Sequence, residues 1–162
     1  MRMSLAIVIA VLMGGPAAAA PERPHPSAIA DARVSTVAAP AATVVDEFHS
    51  ALRRGDTKQA LSFLADKALI FESGGVERSK AEYASHHLAA DADFSQAVHA
   101  KVTRRSGEAT GNVAWITSEG RTTGTWKGKA VDVMTTETMV LRRAGPGWKI
   151  IHIHWSSAAA GK

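Results

Sequence analysis

The chain has 162 residues, room for one hydrophobic core of the usual size and an additional segment. It is 46% hydrophobic and 21% charged, which excludes wholesale disorder and a multi-span membrane protein. The net charge is +4, but the basic residues come as scattered pairs, Arg53-Arg54, Arg104-Arg105 and Arg142-Arg143, so no nucleic-acid partner is expected. With no cysteine there is no disulfide framework, thiolate zinc site, iron–sulfur cluster or cysteine nucleophile. Chemistry must come from histidines, carboxylates, hydroxyls or a bound ligand.

Residues 1–20 read as a secretory signal peptide. Arg2 supplies the positive start, Leu5 to Met13 is continuously apolar, and Gly14 to Ala20 ends in small residues suited to cleavage. That apolar stretch is shorter than the roughly 20 residues that span a bilayer, so no stable membrane insertion is expected after cleavage. The mature protein is expected to be periplasmic or secreted. Residues 21–40 carry four prolines among Ala and Ser without a sustained period, the composition of a flexible linker. The folded domain is placed at 41–158, with 159–162 as a tail.

Val44, Val45, Phe48 and Leu52 recur at helical spacing before Gly55, predicting a helix over Ala42 to Arg54. Asp56 with Gln59 forms a capping box that opens a second helix with Ala60, Leu61 and Leu64. Ala68 to Ser73 is a short strand closed by Gly74-Gly75. Ser79 with Glu82 opens a third helix, striped by Tyr83, Ala84, His87 and Leu88 and reaching about Ala90. Four strands follow at Ala97 to Arg105, Val113 to Trp126, Lys129 to Arg143 and Trp148 to Ser157, separated by Ser106-Gly107, Lys127-Gly128 and Gly145-Pro146-Gly147. The order α-α-β-α-β-β-β-β predicts an α+β fold in which a curved antiparallel sheet wraps around three N-terminal helices.

Strand register brings ionisable residues together. A two-residue turn at Lys127-Gly128 pairs Trp126 with Lys129, Ser118 with Glu137, Ile116 with Met139 and Ala114 with Leu141. A turn over Ala144 to Gly147 pairs Arg143 with Trp148 and, counted outward, sets His152 opposite Met139 and His154 opposite Glu137. One extra residue would reverse the strand and abolish that pairing. Glu137 and His154 then form either a structural pair closing the sheet or an acid–base dyad in a pocket. Glu72, at the end of the first strand, and His87, in the third helix, are expected near the same space.

From Thr43 to Ser157 the sequence resembles the nuclear transport factor 2-like superfamily, in particular its SnoaL-like branch and the related ketosteroid isomerases. The matching pieces are Ala51-Leu52-Arg53-Arg54-Gly55-Asp56, the stretch from Leu64 to Glu72, and the terminal strand from Gly147 to Ser156. The resemblance implies a cone-shaped α+β barrel with a deep pocket, commonly dimerising through the sheet. It places Glu72 where the isomerases carry their general base, and Phe48 where they carry a tyrosine donor. The superfamily spans isomerases, cyclases, dehydratases, epoxide hydrolases and members that only bind or assemble, so fold alone selects no reaction.

The expected function is therefore that of an exported pocket protein for a small organic molecule, with Glu72, Glu137 and His154 as acid–base groups. Phe48, Tyr83, His87, Trp115, Trp126, Met139 and His152 are the expected ligand contacts. No cofactor is expected, and a homodimer through the sheet is. Two alternatives stay open: a binding or assembly module without chemistry, and a copper or zinc site built from His87, His152 and His154 with Glu72 or Glu137.

Overall fold

The computed structural model describes residues 33–161; the expected signal peptide and most of the expected linker lie outside them. Helix α1 (Ala39–Arg53) starts with Pro40 in its first turn, where a missing N–H costs nothing, and buries Ala41, Val45, Phe48 and Leu52. Helix α2 (Thr57–Phe63) is capped by Asp56, whose carboxylate accepts from Gln59 N at 2.9 Å. The first strand is longer than predicted: β1 (Leu64–Glu72) follows α2 directly and turns through Ser73-Gly74 into a short β2 (Gly75–Glu77).

The predicted third helix is two helices. α3 (Lys80–His86) is capped by Ser79, whose Oγ accepts from Glu82 N at 3.0 Å, and α4 (Leu88–Ala97) follows after a break at His87. Strands β3 (Val98–Thr110), β4 (Val113–Trp126), β5 (Lys129–Ala144) and β6 (Gly147–Ala159) complete the chain. The predicted turn at Ser106-Gly107 lies inside β3, and the chain turns at Gly111-Asn112 instead. Gly107 is needed for packing: a Cβ there would sit 2.5 Å from Ile116 Cδ1.

The strands form one curved, unclosed sheet in the order β2-β1-β6-β5-β4-β3. It is antiparallel except for the parallel pair β1–β6. Val45, Phe48 and Leu52 of α1 join Ile116, Met139, Leu141, Ile150 and Ile153 of the sheet in a single core. Before α1, Val34 bridges to Gly107 and Ala38 is fully buried. Among the described residues no helix is long and apolar enough to cross a membrane.

The β4–β5 register matches the predicted one over its whole length, and β5–β6 matches it from Arg143↔Trp148 to Leu141↔Ile150. There it departs. Ile151 is an extra residue in β6, a bulge, so Val140 pairs with His152, Thr138 with His154, and Glu137 with Trp155. Strict alternation would carry His152 and His154 inward with Ile150. The bulge instead turns Ile153 fully into the core and Trp155 toward it. Each large apolar side chain taken from water stabilises by about 1.5–3 kcal/mol, whereas buried imidazoles would need partners.

Candidate functional site

A single cross-strand row builds the site's floor. Arg105 on β3 stands opposite Ser118 on β4, Ser118 opposite Glu137 on β5, Glu137 opposite Trp155 on β6, and Trp155 beside Glu72 on β1. Residues paired across strands project to the same face, and all five line a chamber of about 290 Å³. Asp46, His49 and Leu52 of α1 and Asp91 and Phe94 of α4 form the facing wall, while Val98, Val102 and Val133 add apolar surface.

Glu137 is the best-connected group. Its Oε2 accepts from His49 Nε2 at 2.6 Å and from the Trp155 indole N–H at 2.8 Å, and Ser118 Oγ lies 3.4 Å from Oε1. Arg105 donates from Nε to Ser118 Oγ at 3.1 Å and ties back to Asp46 on α1. Burial is the largest influence on Glu137 and by itself raises its pKa. The His49 charge and hydrogen bond, the Trp155 N–H and Arg105 together outweigh it, so Glu137 is held below the ordinary glutamate value and stays ionised.

The two carboxyls across the chamber behave oppositely. Glu72 opens onto the chamber but is crowded by protein; this desolvation, reinforced by nearby Asp91 and opposed by His87, pushes its pKa up. Asp91 is raised chiefly by burial, although it accepts a hydrogen bond from Tyr83 Oη at 2.8 Å. Burial also raises Tyr83 far above a free phenol, with Asp91 the next cause, so its hydroxyl remains a donor. One chamber thus carries one carboxylate kept charged and two carboxyls whose pKa values are raised, Glu72 at its exposed edge and Asp91 deeper.

Of the residues predicted from sequence, Glu72 and Glu137 meet in this chamber, and His154 does not. The Ile151 bulge places His154 exposed on the outer face, where its ring lies 6.2 Å from Phe71. His152 shares that face, donating from Nδ1 to Leu69 O at 2.9 Å and meeting Phe71 edge-on at 5.2 Å. The expected Glu137–His154 dyad is therefore replaced by Glu137–His49. His87 approaches Glu77, so the metal set His87, His152 and His154 is not brought together.

The expected apolar contacts also move. Phe48 is buried in the core and stacked on Trp155 at 6.3 Å, and Met139 is fully buried beneath the sheet. Neither Phe48 nor Met139 lines the chamber. Trp115 is 41% exposed, because odd-numbered positions at this end of β4 face outward. Trp126 packs edge-on against Phe94 at 5.4 Å beyond the chamber lining. Tyr83 does not line the chamber and is tied to it by its hydrogen bond to Asp91.

His49 and Asp91 are not among the residues singled out from sequence. His49 carries a legible signal: it lies four residues after Val45 and three before Leu52, on the buried stripe of α1. Asp91 lies on α4, beyond the end of the predicted helix.

A cone of helices on one curved sheet, with an acid-lined chamber between them, defines an α+β pocket fold. The chain belongs to the SnoaL-like domain family, whose model matches residues 41–160. A proposed ketosteroid isomerase from Shewanella frigidimarina is 40% identical, with 75% of this chain and 98% of that one covered and a TM-score of 0.71. A proposed dehydratase of the NTF2-like family from Streptomyces avermitilis is 22% identical over 77% of this chain and 98% of that one, with a TM-score of 0.63. The CaMKII hub of S. rosetta is 17% identical over 74% and 95%, with a TM-score of 0.60; these last two share the fold alone. No curated protein matches the chain.

Proposed function

We propose that this is an exported pocket protein that binds a small, largely apolar carbonyl compound and moves a proton on it, chemistry of the isomerase or cyclase kind. The observation that carries the reading is the convergence of three carboxyls, Glu72, Asp91 and Glu137, on one chamber of about 290 Å³, with Glu137 held below the ordinary value and the other two raised. Glu72, when ionised, is a stronger base than an ordinary glutamate and takes a proton from a carbon next to the carbonyl, then returns it to another carbon. Asp91, whose pKa burial raises, faces the chamber from α4 and in its protonated form donates to the carbonyl oxygen as negative charge grows there. Glu137 keeps its charge throughout and fixes the His49 ring. The relative named as an isomerase at 40% identity supports the reading, and Glu72 occupies the strand end expected for a base.

The test is deuterium exchange. A panel of cyclic enones in D2O should incorporate deuterium beside the carbonyl faster with the protein than in buffer, and Glu72→Gln should slow this by roughly 10²–10⁴. No acceleration across the panel, or equal rates for the variant, contradicts the reading.

Export and dimerisation complete the proposal. Sequencing the N-terminus of protein recovered outside the cytoplasm should show cleavage after Ala18, Ala19 or Ala20. Trp115 and Val113, 41% and 44% exposed on the outer face, are offered as the dimer surface. Trp115→Glu should convert a dimer to a monomer in analytical ultracentrifugation.

A further inference from the structure

We propose that Glu77, Glu82 and His86, outside the chamber, form a binding site for a divalent transition-metal ion of the zinc class. The site is a product of the β2–α3 junction. Glu77 ends β2, and two residues later Ser79 caps α3. Glu82 and His86 are four residues apart on α3 and therefore share one helix face. Donor atoms of the three residues all lie within 4.8 Å of one another. Two donors each about 2.0–2.2 Å from a common ion stand at most about 4.4 Å apart, so the three side chains need close in by only a few tenths of an ångström to hold one.

Glu77 points to a missing partner. It is 6% exposed, its Oε1 is engaged by His87 Nδ1, and its Oε2 is buried without a hydrogen-bond donor. His86 Nδ1 stands 3.4 Å from that oxygen, longer than the roughly 2.7–2.9 Å of a good charge-assisted bond. A buried carboxylate oxygen left in this state is costly, and an ion between Glu77 and His86 would satisfy both groups. Glu82 commits Oε2 to the Arg78 N–H at 2.6 Å, which fixes the carboxylate over the helix start. His87 positions Glu77 from the other side, and His86, 58% exposed, leaves an entry path.

The donor set selects the metal. One imidazole nitrogen with two carboxylates suits zinc, cobalt, nickel or copper, whereas calcium requires six to eight oxygens. Glu77 also lines a small cavity of about 50 Å³ that shares Glu72 and Trp155 with the chamber, while Glu82 and His86 line neither space.

Cobalt(II) is the probe, read by its visible d–d absorption, with zinc(II) as competitor, on the untagged protein. The expected result is saturation at one equivalent, displacement by zinc, and weakening beyond about 10-fold in both His86→Ala and Glu82→Gln, since loss of outer-shell partners alone costs about that much. His86 is exposed, and the side-chain amide introduced by Glu82→Gln can still accept the Arg78 N–H, so neither variant threatens the fold. His154→Ala should bind as wild type. No saturable binding, undiminished binding in either ligand variant, or loss in His154→Ala overturns the site.

Discussion

Glu137 on β5 and Trp155 on β6 face each other across the sheet, joined by an indole N–H···Oε2 hydrogen bond of 2.8 Å. That pairing exists because Ile151 is bulged; without it a histidine would occupy the place of Trp155. The outer-face position of His154 follows directly. His154→Ala should change stability by no more than about 0.5 kcal/mol in urea unfolding, as expected of an exposed side chain. A loss of several times that size would place His154 back in the interior.

His49 and Glu137 should act as a unit. Removing either partner leaves the other poorly paired inside the chamber, so His49→Ala and Glu137→Gln should each destabilise, and the double variant should cost less than their sum. A double-mutant cycle by chemical denaturation should give a coupling of about 0.5–3 kcal/mol. Additive losses would mean that the 2.6 Å contact carries no energy.

Much of this arrangement was legible in the sequence, and the reasons are local. Lys127-Gly128 is a tight two-residue turn, so it fixed every pair of β4–β5, including Ser118 with Glu137. Asp56 and Ser79 carried their helix starts in side-chain oxygens, and both caps formed. The bulge was not legible, because alternation in Ile150-Ile151-His152-Ile153-His154-Trp155 fits two faces nearly equally well. The choice is made by α1, whose Phe48 stacks on Trp155 and whose His49 meets Glu137, and this is tertiary information. The break between α3 and α4 is of the same kind, falling at His87, whose ring is held by Glu77 from β2.

The acid and neutral limbs of the stability curve should separate Glu137 from Glu72. Glu137 is depressed in the folded state, so its contribution is present above the ordinary value near 4.5 and is lost as pH falls through its folded pKa. Glu72 is raised, so its contribution is present below the ordinary value and is lost as pH rises through its folded pKa. In thermal melts across this range, the destabilisation by Glu137→Gln should be largest at neutral pH and shrink in acid. Glu72→Gln should instead gain on wild type as pH rises. The reverse trends would invert the assignment of charge in the chamber.

Gly120 allows the backbone of β3 to approach the chamber wall. A Cβ there would lie 2.7 Å from Lys101 O and 3.2 Å from Thr135 Oγ1. The first contact is backbone and sits beside the β3 register shift between Val102 and Arg104, so it cannot swing away as a side chain would. Gly120→Ala should cost about 1–3 kcal/mol in denaturant unfolding. A neutral effect would show that this part of β3 yields freely.

Carboxyl-carbon NMR titration of protein labelled at glutamate, with Glu72→Gln and Glu137→Gln used for assignment, tests the central claim most directly. Glu137 should titrate below and Glu72 above the ordinary value near 4.5, and His49→Ala should move Glu137 upward. Ordinary values for both carboxyls, or a Glu137 indifferent to His49, would contradict the account.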